Sequence, residues 1–314
     1  MAMQAIITQT MPVAQLLAGQ ISPNTRRAYQ QAVSHFAAWV GGDLQHVTRE
    51  QVTAYRNQMF EQGYAAGTIA QRLSVISQLF EEARFAGLVS RNPCERVKRP
   101  KVSDESTTAG LTEKEAAAML ATCDRCTVKG ARDYALLKLA LYTGLRRTEI
   151  VSATWGDLTQ DRGHWVLWVT GKGGKRAKVK IQVHVKRALD EYLQQSRRVI
   201  APASPLFVAT KHNRGEVPLA GKVAADIVKA AAKRPGIAER ITPHSLRHTA
   251  VTLALDGGAT VRQVQSFARH SDPKTTMRYD RNRGDLDDNG ADYIKIREQP
   301  GQVGTDLTSG QPGS

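Results

Sequence analysis

Cysteine is scarce in this chain of 314 residues: Cys94, Cys123 and Cys126 are its whole complement. Three is odd in number and too few for a disulfide framework, so a reducing compartment fits better than an oxidising one. Cys123 and Cys126 have CxxC spacing, but no second cysteine pair and no nearby histidines complete a ligand set. They read as packing or surface residues, and no metal is expected. Long apolar runs are missing too. None approaches the roughly 18 to 20 residues of a spanning helix, and no basic-then-apolar signal segment opens the chain, so a soluble, cytoplasmic protein without a membrane partner is expected. The third shortage is of acid. Asp and Glu total 29 against 44 Lys and Arg, a formal net charge of +15. A surplus of that size favours a polyanionic partner reached by electrostatic steering, and nucleic acid leads over an anionic membrane surface.

The length suits two domains of common size. SPNTRRAYQQAVSHFAAWVGG offers Ser22 or Asn24 as a cap, repeats apolar residues at helical spacing from Tyr29 to Val40, and stops at Gly41 and Gly42. VTREQVTAYRNQMFEQG repeats the pattern with a Thr48/Gln51 capping box, and a third helix is expected from Thr68 to Gly87, with NPCERVK as a possible fourth. Arg26, Arg27, Arg56 and Arg72 are placed on exposed faces of this helical module as phosphate contacts, although a solvated helical face explains any one of them equally well. The polar stretch VKRPKVSDESTTAG reads as a linker whose Lys98, Arg99 and Lys101 can lie along a phosphate backbone. A second domain begins near Leu111, with a Thr112/Glu115 capping box and an apolar-rich helix closing at Gly144. HWVLWVTGKGGKRAKVKIQV then reads as two strands joined by a GKGGK turn, with Val179, Ile181 and Val183 alternating in the second. Helices follow to about residue 281, and the glycine-rich end reads as a mobile tail.

The chemistry concentrates in this second part. A helix opening at Pro243 in TPHSLRHTA sets His244 and Arg247 three apart on one face, beside unsatisfied N–H groups and the positive end of the helix dipole, which suits a phosphate. In TGLRRTEI, Arg146 and Glu149 are likewise three apart, a spacing that is commonly a structural ion pair. Two arginines can clamp the non-bridging oxygens of one phosphate and stabilise the charge that grows in a pentacoordinate transition state. In SFARHSDPKTTMRYD, Asp272 and Pro273 begin a short helix leading to Tyr279, nine residues after His270. Tyr279 is a nucleophile only if activated, which His270 can do as general base, or His270 can instead hold the phosphate by a hydrogen bond. Lys172, in the GKGGK turn, can protonate a departing alkoxide or be a plain soluble turn residue.

Taken in order, TGLRRTE, GKGGK between two strands, HSLRH, ARH and a tyrosine nine positions on resemble the tyrosine recombinase family, the phage integrases, from about Leu111 to Tyr279. The resemblance implies a mostly α fold with a small antiparallel β-sheet in a two-domain architecture. Its parts would be a helical core-binding DNA-binding domain at 10–100, a linker at 101–110, an α+β catalytic domain at 111–284, and a C-terminal segment and flexible tail at 285–314. It implies Arg146 and Arg247 as the phosphate clamp, Glu149 as the group orienting the arginines, and Lys172 as general acid, with Lys175 as its alternative. His244 and His270 would be further pocket residues and Tyr279 the group that forms a 3′-phosphotyrosyl enzyme. No cofactor is implied. The expected partner is double-stranded DNA at specific recombination sites, bound by a homo-tetramer on two sites in a nucleoid-associated protein. GDLDDNGADYIKIRE either reaches a neighbouring protomer or folds back on its own domain. A type IB topoisomerase-like relaxing enzyme and a non-catalytic DNA-binding factor are the alternative readings. One departure stands out: the family usually has LGH where this chain has ARH, which puts Arg269 in a glycine position. His248 is read as structural.

Overall fold

Amphipathic helices need a partner face to bury their apolar stripes. In the first of two compact units, Met1–Asp104, they find it in one another: α1 (Met11–Ala18), α2 (Pro23–Val40), α3 (Arg49–Glu61) and α4 (Ala66–Phe85) pack together. The computed structural model describes residues 11–20, 22–42, 44–101, 110–171, 174–210, 217–237, 241–270 and 272–277. The α4 helix carries two apolar faces. Ile69, Leu73, Ile76 and Phe80 meet Phe36, Val52, Tyr55 and Met59 on one side. Val75 and Leu79 meet Val13, Leu16, Ala32 and Val33 on the other. Each large side chain buried this way contributes about 1.5–3 kcal/mol. The α3 helix starts at the expected box, with the Thr48 hydroxyl accepting from the Gln51 N–H and the Gln51 side chain accepting from the Thr48 N–H.

Two local expectations are corrected here. The stretch NPCERVK forms turns and no fourth helix: the Asn92 side chain accepts from the Cys94 N–H, and Arg96 takes φ +60°, a left-handed conformation that ends any helix. The additional helix is instead α1, which precedes the first helix expected from the sequence.

The second unit, Glu105–Ser314, is built around α6 (Val128–Thr143). Ala131, Ala135, Leu136, Leu137, Leu139 and Ala140 are all buried, so this helix is apolar on nearly every side and runs through the core. Around it lie α5 (Glu113–Ala121), the short α7 (Arg147–Ser152), α8 (Val183–Ser196), α9 (Gly221–Lys233), α10 (Pro243–Asp256), α11 (Val261–Ala268) and α12 (Pro273–Met277). A sheet in the order β1-β2-β3 completes the unit, from β1 (Leu158–Asp161), β2 (His164–Thr170) and β3 (Arg176–Ile181). All pairs are antiparallel, and the β2–β3 register sets Leu167 opposite Val179 and Trp165 opposite Ile181. Leu167, Val169, Val179 and Ile181 face the core, while Trp168 sits between the Arg176 and Lys178 cations on the other face, with centroid distances of 5.0 and 4.9 Å. The chain is therefore mostly helical with a small antiparallel sheet. The second strand of the hairpin ends at Ile181, so Val183 does not alternate within it; Val183 is exposed and opens α8.

Candidate active site

The site begins where α6 ends. Gly144 adopts φ +58°, a left-handed cap that a residue without a Cβ takes at no steric cost, and the chain turns there toward Arg146. Arg146 is the N-cap of α7 and has no capping hydroxyl or carboxylate of its own. Glu149 compensates from three residues on: its Oε2 accepts from the Arg146 N–H at 2.7 Å and its Oε1 from the Arg146 Nη1 at 3.0 Å. Glu149 is 1% exposed and Arg146 43% exposed, so a buried carboxylate anchors a guanidinium whose outer edge faces solvent.

The α10 helix supplies the next group. Thr242 and Ser245 cap it reciprocally, with Pro243 in its first turn. His244 then lies exposed on the first turn, and Arg247, one turn on, is buried. The Arg247 Nη1 donates to the Gly144 carbonyl at 2.6 Å, and its Nη2 donates to the Ala268 carbonyl. Both acceptors lie at helix C-termini, of α6 and α11, where a cation is favoured by the dipoles. Arg247 thus ties three helices together. An open cavity of about 390 Å³ is lined by Arg146, Arg147, Thr242, Pro243, His244 and Arg247. Arg147 is a lining residue that the motifs did not single out.

The α11 helix ends in a Schellman turn: the Arg269 N–H donates to the Ser266 carbonyl and the His270 N–H to the Gln265 carbonyl, each at 3.1 Å. Arg269 occupies the left-handed position at φ +56°, at a cost of roughly 1 kcal/mol for a residue with a Cβ. Its side chain runs inward, and its Nη2 donates to Glu149 Oε2 at 2.6 Å. Next in the chain, His270 Nδ1 and Thr276 Oγ1 share a hydrogen bond of 2.8 Å, which fixes the imidazole against α12. Thr276 is fully buried and was also not anticipated.

Burial, and then the Arg247, Arg146 and Arg269 cations with a last contribution from His244, push the His270 imidazole down to about 4, so it is neutral at pH 7. Partial desolvation by its neighbours, followed by the Arg247 and Arg146 charges, lowers His244 in the same direction. His248 is buried against Gly110, where an added Cβ would sit 2.7 Å from its Nδ1, and that ring nitrogen lies 3.3 Å from the Thr252 hydroxyl, which fits a structural part.

The site residues expected from the sequence thus divide into groups. Arg146, Glu149, His244, Arg247 and His270 come together. Lys175 is exposed beyond β2, its carbonyl accepting from the Gly171 N–H at 2.8 Å. Lys172, Tyr279 and the segment GDLDDNGADYIKIRE lie outside the described residues. In the first unit Arg27, Lys98, Arg99 and Lys101 are exposed, as is Arg26, whose Nη2 donates to the Gln20 carbonyl. Arg56 is half-buried and already donates to the Lys98 carbonyl and to Asn57, and Arg72 lies 4.5 Å above the Tyr64 ring. Cys123 is half-buried with burial raising its thiol pKa, Cys126 is exposed, and no group of three metal-ligating side chains occurs among the described residues. No helix among them is long and apolar enough to cross a membrane.

Comparison with known proteins bears on what this cavity belongs to. The family model described as "Phage integrase family" matches residues 110–284, and "Phage integrase, N-terminal SAM-like domain" matches residues 14–87. A tyrosine recombinase of Synechococcus elongatus is 34% identical over 286 residues, covering 86% of this chain and 88% of the relative. Among solved structures, a lambda integrase dimer bound to a COC' core site shares the fold with a TM-score of 0.70 at 18% identity, over 90% of this chain and 96% of that one. A lambda integrase tetramer bound to a Holliday junction gives 0.68 at 18%, over 87% and 77%. With family models matching both units and a relative one-third identical along most of its length, the chain belongs to the phage integrase family: it is a tyrosine-type site-specific recombinase.

Proposed function

We propose that this recombinase cuts and rejoins DNA by attack of the Tyr279 hydroxyl on a scissile phosphate, giving a 3′-phosphotyrosyl enzyme and a free 5′ hydroxyl. The oxygen–phosphorus bond to Tyr279 forms as the bond to the 5′ oxygen breaks, and the leaving alkoxide takes a proton from Lys172, with Lys175 as the alternative donor. Arg146 and Arg247 stabilise the charge on the non-bridging oxygens in the pentacoordinate transition state. Glu149 orients Arg146. His244 contributes a further hydrogen bond to the phosphate, and His270, neutral at pH 7, receives the tyrosine proton or holds a phosphate oxygen. Because the phosphotyrosyl bond retains the energy of the cut strand, reversal of the same step by a new 5′ hydroxyl reseals the duplex.

The observation that carries this reading is the convergence of Arg146, His244 and Arg247 on one open cavity, from motifs about a hundred positions apart. Residues 10–100 would act as the DNA-gripping module, 101–110 as a basic linker, 111–284 as the catalytic domain and 285–314 as a C-terminal segment. The working assembly would be a homo-tetramer on two double-stranded sites, a reading supported by the tetrameric lambda integrase that shares this fold. It would work in the cytoplasm, associated with the nucleoid. A type IB topoisomerase-like activity and a non-catalytic binding role are not favoured, since the family matches are to recombinases. Mapping covalently trapped nucleotides on genomic DNA defines the site and, from its location, whether the task is integration, excision or resolution. A nicked duplex carrying that site should then accumulate covalent protein–DNA product with the wild-type chain and none with Tyr279→Phe. Product formed by the phenylalanine variant would exclude Tyr279 as nucleophile.

A further inference from the structure

Glu149 is a buried carboxylate whose two oxygens face two different arginines. Oε1 accepts from the Arg146 guanidinium, at the rim of the cavity, and Oε2 accepts from the Arg146 backbone N–H and from the guanidinium of Arg269, which is 14% exposed and 120 positions away in sequence. Arg269 sits at a left-handed cap where glycine is the unstrained choice, so the backbone alone gives no reason for an arginine there. Its Nη1 is buried and has no hydrogen-bond partner among the described residues, so the guanidinium is only partly satisfied by its surroundings. From this geometry we infer that Arg269 is a positioning residue for DNA cleavage: by holding the far oxygen of Glu149, it keeps the carboxylate from fully neutralising Arg146 and fixes the guanidinium edge offered to the phosphate.

The physical reason is charge sharing. A buried carboxylate with a single cationic partner would draw that cation into a closed bidentate pair, because the pair is what offsets its desolvation. Such a pair would turn Arg146 toward Glu149 and away from the cavity. A second guanidinium on Oε2, beside the Arg146 backbone N–H already there, leaves the Arg146 guanidinium one oxygen to bind and an outer edge for substrate. The charge of Arg269 also acts on its neighbour His270, together with Arg247 and His244 of α10 and Arg146 at the start of α7, while the Thr276 hydroxyl of α12 bonds the ring. Removal of the Arg269 charge should therefore be felt at the imidazole as well as at Arg146.

The inference rests on the proposed role of Arg146, and the test keeps the two apart. Arg269→Gly removes the side chain and relieves the cap; Arg269→Lys retains a cation; Arg269→Gln, neutral and of similar length, replaces the glycine variant if that variant does not fold. On the nicked duplex of the mapped site, the neutral variant should bind DNA within about twofold of wild type, as no phosphate contact is removed. It should form covalent product roughly a hundredfold more slowly, the scale of a misplaced reacting group, and the lysine variant should recover part of the rate. In the DNA-free protein, the imidazole midpoint of His270 followed by NMR should rise in the neutral variant and stay near wild type with lysine. An unchanged cleavage rate in the neutral variant overturns the inference. So does equal loss of binding and cleavage in both variants, or an unmoved His270 midpoint, which is read without DNA. Failure of the wild-type chain to form any covalent product overturns the reading of the site itself, a separate result.

Discussion

Taken as individual side chains, Arg146 and Arg247 have the same proposed chemistry but different structural duties. Arg146 is half-exposed, and Glu149 keeps Arg269 when Arg146 is lost. Arg146→Ala should therefore leave stability within about 1 kcal/mol of wild type and lower the rate of covalent trapping by roughly 10²–10³-fold, the usual effect of deleting one preorganised donor. Arg247→Ala should lower cleavage similarly and also cost about 3 kcal/mol of stability, because it orphans the Gly144 and Ala268 carbonyls at two helix ends. Urea unfolding beside single-turnover trapping separates the two; equal stabilities would refute the stapling role of Arg247. His270 gives a pH test. Its ordinary value is near 6.5 and its folded value about 4, so between those pH values the unfolded chain binds a proton that the folded chain does not. Its contribution to stability is complete above about 6.5 and is lost as the pH falls toward 4. His270→Gln should reduce the fall in melting temperature across that window, leaving the part due to His35, His184 and His244, which are lowered in the same direction.

Among the helices and strands, the sequence is most legible where a helix start is written in side chains. The Thr48/Gln51 and Thr112/Glu115 boxes mark α3 and α5, and Pro243 marks α10, because each cap is a local exchange of hydrogen bonds within three residues. Thr242→Ala, which deletes one half of the α10 cap, should cost about 1 kcal/mol in urea unfolding and loosen the turn that presents His244. What was not legible depends on contacts between elements. The β1 strand, LTQD, is four residues with no apolar alternation and is a strand only because β2 pairs with it. NPCERVK contains helix-compatible residues, but the Asn92 amide donates to the Ser77 carbonyl and to Glu81 of α4, and these distant bonds hold it in turns. The site divides in the same manner. Arg146–Glu149 and His244–Arg247 are visible as pairs three apart, whereas Arg269 bonding Glu149 and Thr276 bonding His270 follow from how α7, α11 and α12 meet, which no periodicity encodes.

For the protein entire, the net charge of +15 and the placement of its cations should govern how DNA is found and held. Exposure sorts the first unit's basic residues into two kinds. Arg27, Lys98, Arg99 and Lys101 stand in solvent, whereas Arg72 is half-buried over Tyr64. Counterion release scales with the number of phosphates neutralised, so each exposed cation that contacts the backbone should add about 0.9 to the slope of log affinity against log salt concentration. Neutralising Lys98, Arg99 and Lys101 together to Gln should therefore reduce that slope by up to about 3 while leaving the covalent trapping rate on saturating DNA unchanged. Arg72→Ala should behave in the opposite way: the slope stays, and stability falls by about 0.5–1 kcal/mol with the lost cation–π contact. Titrating binding from low to moderate salt decides the assignment. A wild-type slope near zero would remove DNA as the polyanion this charge was selected to meet, and a slope unaffected by the triple substitution would move the phosphate contacts off the segment from Lys98 to Lys101. The two measurements are independent of the cleavage chemistry, because phosphate contacts set position and affinity along the duplex, while the role proposed for the arginines of the cavity is confined to one phosphorus at the moment of attack.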